Sequence, residues 1–271
     1  MISIGKLEFG YGKQDSLFKN LNFEQEQGAI VGLFGKNGAG KSTFIKLMSG
    51  LLKPNRGVVK VSRFTPFSRC STFLEDVYLI TEELYVPQVS IKTYIKAYAP
   101  FYKKFDEGKI YSILHDFELD KNVNLAKISY GQKKKFLIAF ALSTNCKYLF
   151  LDEPTNGLDI PSKRVFRKVL VSAITDEQIV FVSTHQVGDI ETVIDKIVVL
   201  HEGKIVFDKS MFEVANKIQF KIQSSLSDHV LYHEKCIEGY KVILPIQDNK
   251  NEETHIDIEL LLNAIVNKVE I

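Results

Sequence analysis

The sequence has little net charge, few cysteines and no long apolar segment. Its 35 basic and 33 acidic residues give a net charge of +2, which supplies no general reason to expect nucleic acid or an anionic membrane as the main partner. Cys70, Cys146 and Cys236 are odd in number and far apart. This usage indicates a reducing compartment and argues against a metal cluster.

Segments that would enter or cross a membrane are not evident either. The longest apolar runs, such as KIVVL and QIVFVS, have strand length, well short of the ~18 residues that a bilayer requires. The N-terminal MISIGKLEFGYGK lacks the long apolar stretch of a signal peptide. We therefore expect a cytosolic protein, so that any membrane role comes through a partner.

A glycine-rich loop in AIVGLFGKNGAGKSTFIKLM carries the strongest positive signal. Residues 29–34 predict a buried strand, and a helix is predicted to begin near Lys41. The loop between them matches the complete pattern G-x-x-x-x-G-K-[ST]. Glycines let the backbone approach a triphosphate, and a helix N-terminus adds N–H donors. Lys41 is expected to reach the β and γ phosphates, and the Ser42 hydroxyl to ligate Mg²⁺. The predicted nucleotide-binding residues are Gly35, Lys36, Asn37, Gly38, Ala39, Gly40, Lys41, Ser42 and Thr43.

Two acidic residues follow a second apolar strand. Residues 148–151 predict a buried strand that ends in Asp152 and Glu153, at the sheet edge where ligands bind in such folds. Asp152 is placed to hold the Mg²⁺ shell, and Glu153 to polarise a water in line with the γ-phosphate. A third strand, 179–183, leads to His185, whose neutral imidazole could bond the phosphate and that water. The alternatives are two solvated acids and an ordinary surface histidine.

Together these motifs resemble the ATP-binding subunits of ABC transporters over residues 1–215. GKNGAGKST resembles the Walker A loop and YLFLDEP the Walker B strand. NGLD, which ends at Asp159, resembles the D-loop, and His185 resembles the switch histidine. The resemblance also implies that Tyr11, in LEFGYGK, stacks on adenine. Tyr11 could otherwise be a plain strand or turn residue.

The segment ISYGQ resembles the ABC signature loop, usually written LSGGQ, and comprises Ser129, Tyr130, Gly131 and Gln132. The resemblance implies that this loop contacts the γ-phosphate held by a second subunit in a head-to-tail dimer. Ser129 offers a hydroxyl and Gly131 a backbone N–H, and the helix they begin points its dipole at the phosphate. Tyr130 replaces the first glycine and would be costly where φ must be positive. Lys133 to Lys135 are expected to form a solvated face of the following helix.

Residues 84–145 resemble the helical subdomain inserted in ABC ATPases, which meets the transmembrane partner in that family. IKTYIKAYAPFY and FDEGKIYSILHDFEL predict helices, the second capped by Asp106. The Q-loop should lie just before them. Gln88, in LYVPQVS, is the candidate by residue type, because it is a glutamine. By resemblance to ABC ATPases that read Tyr-Leu-Pro-Glu before a Thr-Val helix start, the position falls on Glu82, which we favour. Either residue could instead be a solvated loop residue.

Residues 216–271 predict a small α+β extension. GYKVILPI reads as a strand, DNKNEE as a polar turn, and DIELLLNAIVNKV as an amphipathic helix that Asp257 caps. The sequence gives no indication of what this extension binds.

The expected fold is thus a P-loop α/β core of ABC type with an N-terminal antiparallel sheet, an inserted helical subdomain and the small extension. The resemblance implies an ATPase that uses ATP and Mg²⁺ and acts as a homodimer, or as a heterodimer with a related subunit. It would serve a separate integral-membrane permease and lie in the cytoplasm at the inner face of the cell membrane. No nucleic-acid partner is expected, because the sequence has neither a basic surface signal nor a long coiled coil. The alternative is a soluble ABC ATPase that acts as an assembly or regulatory factor without a permease.

Overall fold

The computed structural model describes residues 1–12, 16–246 and 255–271. In chain order its strands and helices are β1 (Ile2–Phe9), β2 (Phe18–Gln25), β3 (Ala29–Phe34), α1 (Lys41–Met48), β4 (Arg56–Val61), α2 (Ser71–Leu74), β5 (Val77–Ile80), α3 (Ile91–Tyr98), α4 (Glu107–Asp116), α5 (Tyr130–Ser143), β6 (Tyr148–Asp152), α6 (Ile160–Ala173), β7 (Ile179–Ser183), β8 (Lys196–His201), β9 (Lys204–Ser210), α7 (Met211–Lys217), β10 (Ile218–Gln223), β11 (Tyr232–Cys236), β12 (Gly239–Pro245) and α8 (Ile258–Val266). Over these described ranges, no helix combines the length and the apolar character needed to cross a membrane.

A six-stranded sheet forms the centre of the molecule, in the order β5-β6-β7-β3-β8-β9. Its strands run parallel except β9, which forms an antiparallel hairpin with β8. All residues of β6 and β7 are buried, as expected for strands with structure on both faces. The predicted strands at 29–34, 148–151 and 179–183 are confirmed, and with them the P-loop α/β fold class.

The registers of the parallel strands place the candidate site at one sheet edge. Ser183 of β7 pairs with both Leu33 of β3 and Asp152 of β6. Ile80 of β5 pairs with Leu151 of β6. Because parallel strands end at a common edge, the loops that follow β3, β5, β6 and β7 meet there.

A separate three-stranded antiparallel sheet lies near the N-terminus, in the order β2-β1-β4. In β2 the apolar Leu21 and Phe23 are buried and alternate with the exposed Asn22 and Glu24, which gives the sheet one buried face. Leu21 and Phe23 belong to the same hydrophobic cluster as Phe44 of α1. The predicted N-terminal antiparallel sheet is confirmed and packs next to the glycine-rich loop's helix.

The helical segment contains the two predicted helices. α3 ends at Tyr98, and Ala99–Phe101 continues as a 3₁₀ turn with Pro100 near its start, since proline cannot continue an α-helix. The carboxylate of Asp106 accepts a 2.8 Å hydrogen bond from the Lys109 N–H and caps α4 as predicted.

The expectation of a solvated lysine face on α5 is wrong for its middle lysine. Lys134 is fully buried, whereas Lys133 and Lys135 are partly exposed. Every residue from Phe136 to Ser143 is buried as well, so α5 is covered on all sides from Phe136 onward. A buried ammonium requires polar partners, and Lys134 finds them at the sheet edge described below.

The C-terminal extension consists of the antiparallel sheet β10-β12-β11 and α8. The predicted strand and helix are both present, and Asp257 caps α8 by accepting from the Leu260 N–H at 2.9 Å. Ile258 and Leu261 of α8 share one hydrophobic cluster with Phe34 of the central sheet. The boundary expected near residue 215 falls within α7. The predicted polar turn DNKNEE lies outside the described residues.

Candidate active site

A cleft of about 920 Å³ opens at the carboxyl edge of the parallel strands. It brings together the glycine-rich loop, both flanks of the β1–β2 connection and the ends of β5, β6, β7 and β8. Its lining residues are Tyr11, Ser16, Leu17, Lys36, Asn37, Gly38, Ala39, Gly40, Lys41, Ser42, Thr43, Glu82, Glu153, His185, His201, Glu202 and Gly203. Most of the predicted nucleotide-binding residues therefore line one cavity; Gly35 is not among them.

The start of α1 forms the floor of this cleft. Gly40 is the N-cap residue, with φ of 104°, and has no side chain to bond the first-turn N–H groups. A Cβ at this position would lie 2.8 Å from the Phe18 ring, so the left-handed backbone and the close packing both require glycine. The first turn of α1 contains no acidic residue. The helix thus presents N–H donors and a positive dipole end to the cleft, which suits phosphate oxygens.

Lys41 crosses the glycine-rich loop. Its Nζ donates a 2.8 Å hydrogen bond to the carbonyl oxygen of Gly35. Burial lowers the pKa of Lys41, and the carboxylates of Glu153, Asp152 and Glu82 act in the opposite direction. The partner of the Lys41 ammonium is a neutral carbonyl oxygen and not a carboxylate. The positive charge of Lys41 is therefore free to bind an incoming phosphate.

Glu153 has an unusual backbone. It has a φ of 47°, a left-handed conformation that is uncommon outside glycine. Its N–H donates to the carbonyl oxygen of Ser183 at 3.1 Å and approaches the Ser183 hydroxyl at 3.2 Å. Strain of this kind persists only where the surroundings impose it. The turn directs the Glu153 side chain into the cleft rather than along the strand.

The Glu153 carboxylate meets His185 inside the cleft. Glu153 Oε2 and His185 Nδ1 are 3.0 Å apart. The glutamate side chain is nearly buried, at 7% exposure, while 41% of the histidine side chain remains exposed. A buried carboxylate beside an imidazole can orient a water and accept its proton. The alternatives of two solvated acids and an ordinary surface histidine do not describe this geometry.

Asp152 lies behind the cleft and not on its wall. Its Oδ1 accepts a hydrogen bond from the Ser183 hydroxyl at 2.5 Å, and the residue is buried. Ser42 lines the cleft. Across the described residues, no group of three or more His, Cys, Asp or Glu side chains could hold a metal ion by itself.

The structure separates the two Q-loop candidates. Glu82 follows β5 and lines the cleft, and its Oε1 accepts from Asn156 Nδ2 at 3.4 Å. Gln88 is exposed and lies away from the cleft. The favoured register therefore places an acid, Glu82, in the cleft with the glycine-rich loop, and not the glutamine.

Tyr11 also lines the cleft. It is half-exposed, and its hydroxyl lies 3.0 Å from Thr43 Oγ1.

Comparisons with known proteins agree with this geometry. The sequence profile of the ABC transporter family matches residues 18–156. The SkfA peptide export ATP-binding protein SkfE of Bacillus subtilis (strain 168) is 32% identical over 196 residues, which cover 70% of this chain and 81% of that protein. The chain belongs to the ABC transporter family. It is an ATP-hydrolysing subunit of the kind that dimerises and works with separate transmembrane permeases.

A further relative is similar in sequence, and a solved structure is similar in fold. The bacitracin transport ATP-binding protein BcrA of Bacillus licheniformis is 29% identical over 222 residues, covering 80% of this chain and 72% of that protein. The fold resembles the dimeric post-hydrolysis structure of the ATP-binding cassette MJ0796 bound to ADP and Pi. There the TM-score is 0.68 and the identity 22%, with 78% of this chain and 99% of that chain covered.

The predicted signature loop lies outside the chain's own cleft. Ser129 is exposed and caps α5, because its hydroxyl accepts from the Gln132 N–H at 3.2 Å while Gln132 Oε1 accepts from the Ser129 N–H at 3.0 Å. None of the four signature residues lines the cleft. Asp159, the residue predicted for the D-loop, is also exposed, and it caps α6 by accepting from the Ser162 N–H.

Tyr130 fits its place in the signature without backbone strain. It begins α5 and is not among the residues with positive φ, so the conditional cost of replacing a glycine there does not arise. The close approach lies elsewhere. A Cβ on Gly131 would lie 2.7 Å from the Gly157 carbonyl oxygen, and one on Gly157 would lie 2.9 Å from the Tyr130 ring. The signature turn therefore packs tightly on the loop after Walker B.

Sequence reasoning missed two residues that support this site. The Ser183 hydroxyl accepts from the Glu153 N–H and donates to the Asp152 carboxylate. Its signal in the sequence was a polar residue at the end of an apolar strand. Lys134 contacts Glu153, and its signal was the four-residue spacing from Tyr130, which places both on one helix face.

Proposed function

We propose that the chain binds MgATP in its cleft and closes head to tail on a second subunit, so that each signature loop completes the other subunit's site. One observation carries this proposal. The cleft contains the glycine-rich loop and the Glu153–His185 pair, whereas the donor-rich signature turn is exposed on another surface. A loop with N–H and hydroxyl donors but no phosphate of its own suits a phosphate held by another chain.

Each group in the cleft then has a role. Lys41 and the first-turn N–H groups of α1 hold the β and γ phosphates. Ser42, with Asp152 behind it, would hold Mg²⁺, which when bound neutralises charge on the phosphate oxygens. Glu153 accepts the proton of the attacking water, and His185 keeps that carboxylate directed into the cleft. Tyr11, at the rim, offers a ring face for adenine.

A second surface suits the permease. A groove of about 640 Å³ lies between the core and the helical segment. Leu51, Tyr98 and Phe101 line it and are exposed, Phe101 by 66%. Exposed aromatic and aliphatic groups in one groove are typical of a docking site. We propose that a cytoplasmic segment of the permease binds there, which would place this chain at the inner face of the cell membrane.

Mixing two inactive variants tests the head-to-tail arrangement. A dimer of Ser129→Arg chains has two damaged signature loops, and a dimer of Lys41→Ala chains has two damaged glycine-rich loops. Neither dimer has an intact site. A mixed dimer contains one site with an intact Lys41 from the first variant and an intact Ser129 from the second. With equal amounts and random pairing, activity should return to about a quarter of the parental rate. Phosphate release is measured before and after mixing.

The control repeats the mixing with Lys41→Ala and Glu153→Gln, which act in the same cleft, so that no mixed dimer has an intact site. If each chain used its own signature, the Ser129→Arg and Lys41→Ala mixture would stay as inactive as this control. That result would refute the arrangement.

A further inference from the structure

Two side chains near the start of α5 bond the backbone carbonyls of Glu82 and Glu153, two of the acidic residues that line the chain's own cleft. Lys134 Nζ donates to the carbonyl oxygen of Glu153 at 2.6 Å. The hydroxyl of Tyr130 donates to the carbonyl oxygen of Glu82 at 2.5 Å. These two contacts join backbone segments that are far apart in sequence, after β6 and after β5.

The two side chains also contact each other. Lys134 Nζ lies 3.4 Å from the Tyr130 hydroxyl and 5.4 Å from the centre of its ring. Because a tyrosine hydroxyl both donates and accepts, Tyr130 can donate to Glu82 while it accepts from Lys134. The result is a continuous chain of hydrogen bonds from Glu82 through Tyr130 and Lys134 to Glu153.

Burying the Lys134 ammonium at this position costs desolvation free energy. The residue is fully buried; burial lowers the pKa of its ammonium, and the nearby carboxylates of Glu82, Glu153 and Asp152 raise it. A buried ammonium that serves only packing is more readily replaced by an apolar side chain of similar volume. Its shortest hydrogen bond, at 2.6 Å, is to the carbonyl oxygen of Glu153, the residue with the left-handed backbone.

Glu153 is thus held from both ends of its peptide unit. Ser183 accepts from its N–H, and Lys134 binds its carbonyl oxygen. Together they fix the strained turn that directs the carboxylate into the cleft. Tyr130 fixes the Glu82 backbone in the same way, from the same helix.

We infer that Lys134 and Tyr130 are positioning residues for ATP hydrolysis: they hold the backbones of Glu153 and Glu82 and tie both to the signature turn. This rests on the proposed role of Glu153 as the proton acceptor. It also gives a reason for a tyrosine in the signature, since a glycine there could not reach the Glu82 carbonyl.

Lys134→Met is the central variant, because methionine has similar length and volume and no donor. It should lower kcat for ATP by about 10- to 100-fold, the scale of a slightly misplaced catalytic group, with KM for ATP within about twofold. Lys133→Met, its partly exposed neighbour, is the matched control and should retain the parental kcat. Tyr130→Phe removes only a hydroxyl, preserves the fold, and should lower kcat by about 3- to 10-fold, the worth of one neutral hydrogen bond.

Non-additivity separates positioning from a general structural effect. If Lys134 acts through Glu153, then adding Lys134→Met to Glu153→Gln should lower the residual rate by less than about twofold. Losses that multiply, an increase in KM equal to the fall in kcat, or an equal loss in Lys133→Met would overturn the inference. Should Lys134→Met not fold, Tyr130→Phe decides the matter by the same criteria.

The two proposals fail differently. A parental rate in Glu153→Gln refutes the role of Glu153, and the inference falls with it. A slow Glu153→Gln together with parental rates in Lys134→Met and Tyr130→Phe refutes the positioning role alone.

Discussion

Replacing Glu153 by glutamine removes a proton acceptor and leaves the shape of the site almost intact. The amide can still bond His185 Nδ1, which lies 3.0 Å from the carboxylate oxygen that it replaces. The backbone contacts of residue 153 to Ser183 and Lys134 involve no side-chain atom of Glu153. Glutamine tolerates the left-handed backbone about as well as glutamate. Stability should therefore be close to parental.

The expected loss of rate follows from the lost base alone. General acid–base groups contribute typically ~10²- to 10⁴-fold. Since His185 remains beside the cleft and can still orient a water, we expect the lower part of that range, about 10²- to 10³-fold. That corresponds to about 3 to 4 kcal/mol in the activation free energy.

The affinity of Glu153→Gln for ATP should be equal to the parental affinity or higher. Among the carboxylates that raise the Lys41 pKa, Glu153 has the largest effect, although burial outweighs them all. Removing this negative charge reduces repulsion of the triphosphate, so ATP should bind as tightly as before or more tightly. Slow hydrolysis with tight binding should also let the closed dimer accumulate.

Three measurements check this prediction: phosphate release at saturating MgATP, fluorescence titration with an ATP analogue, and size-exclusion chromatography with and without ATP. Glu177→Gln is the matched control, because it makes the same chemical change at an exposed position remote from the cleft. If Glu153→Gln hydrolyses ATP at the parental rate, Glu153 is not the base. Weakened ATP binding would refute the electrostatic reasoning.

Two further predictions concern the Q-loop and the cysteines. Glu82→Ala should abolish the stimulation of ATP hydrolysis by the partner permease and leave the affinity for ATP within about threefold. Gln88→Ala, outside the cleft, should change neither the stimulation nor the affinity. If instead Gln88→Ala abolishes the stimulation and Glu82→Ala does not, the predicted register is wrong. Cys146 is buried, and burial raises the pKa of its thiol to about 12, so at pH 8 a thiol reagent should label the exposed Cys70 and reach Cys146 only after unfolding. Rapid labelling of Cys146 in the folded protein would contradict its described environment.

Much of the site was readable from the sequence because its signals are local. The glycine-rich loop, the strand that ends in Asp152 and Glu153, and the strand before His185 each lie within one short segment whose apolar pattern fixes the strand or helix. Parallel strands then bring their ends to a common edge. The caps by Asp106 and Asp257 were predictable for the same reason, since each bonds an N–H only three residues away.

The tertiary structure alone decided what lies around those motifs. Three neighbouring lysines look equivalent in sequence, yet only Lys134 is fully buried, because its position on α5 faces a carbonyl 19 residues away. Tyr130 bonds a carbonyl 48 residues away, and of the two Q-loop candidates Glu82 lines the cleft while Gln88 does not. Such contacts depend on how helices pack against sheet edges. The local periodicity of the sequence indicates which residues face inward. It does not indicate which distant backbone group each of them contacts.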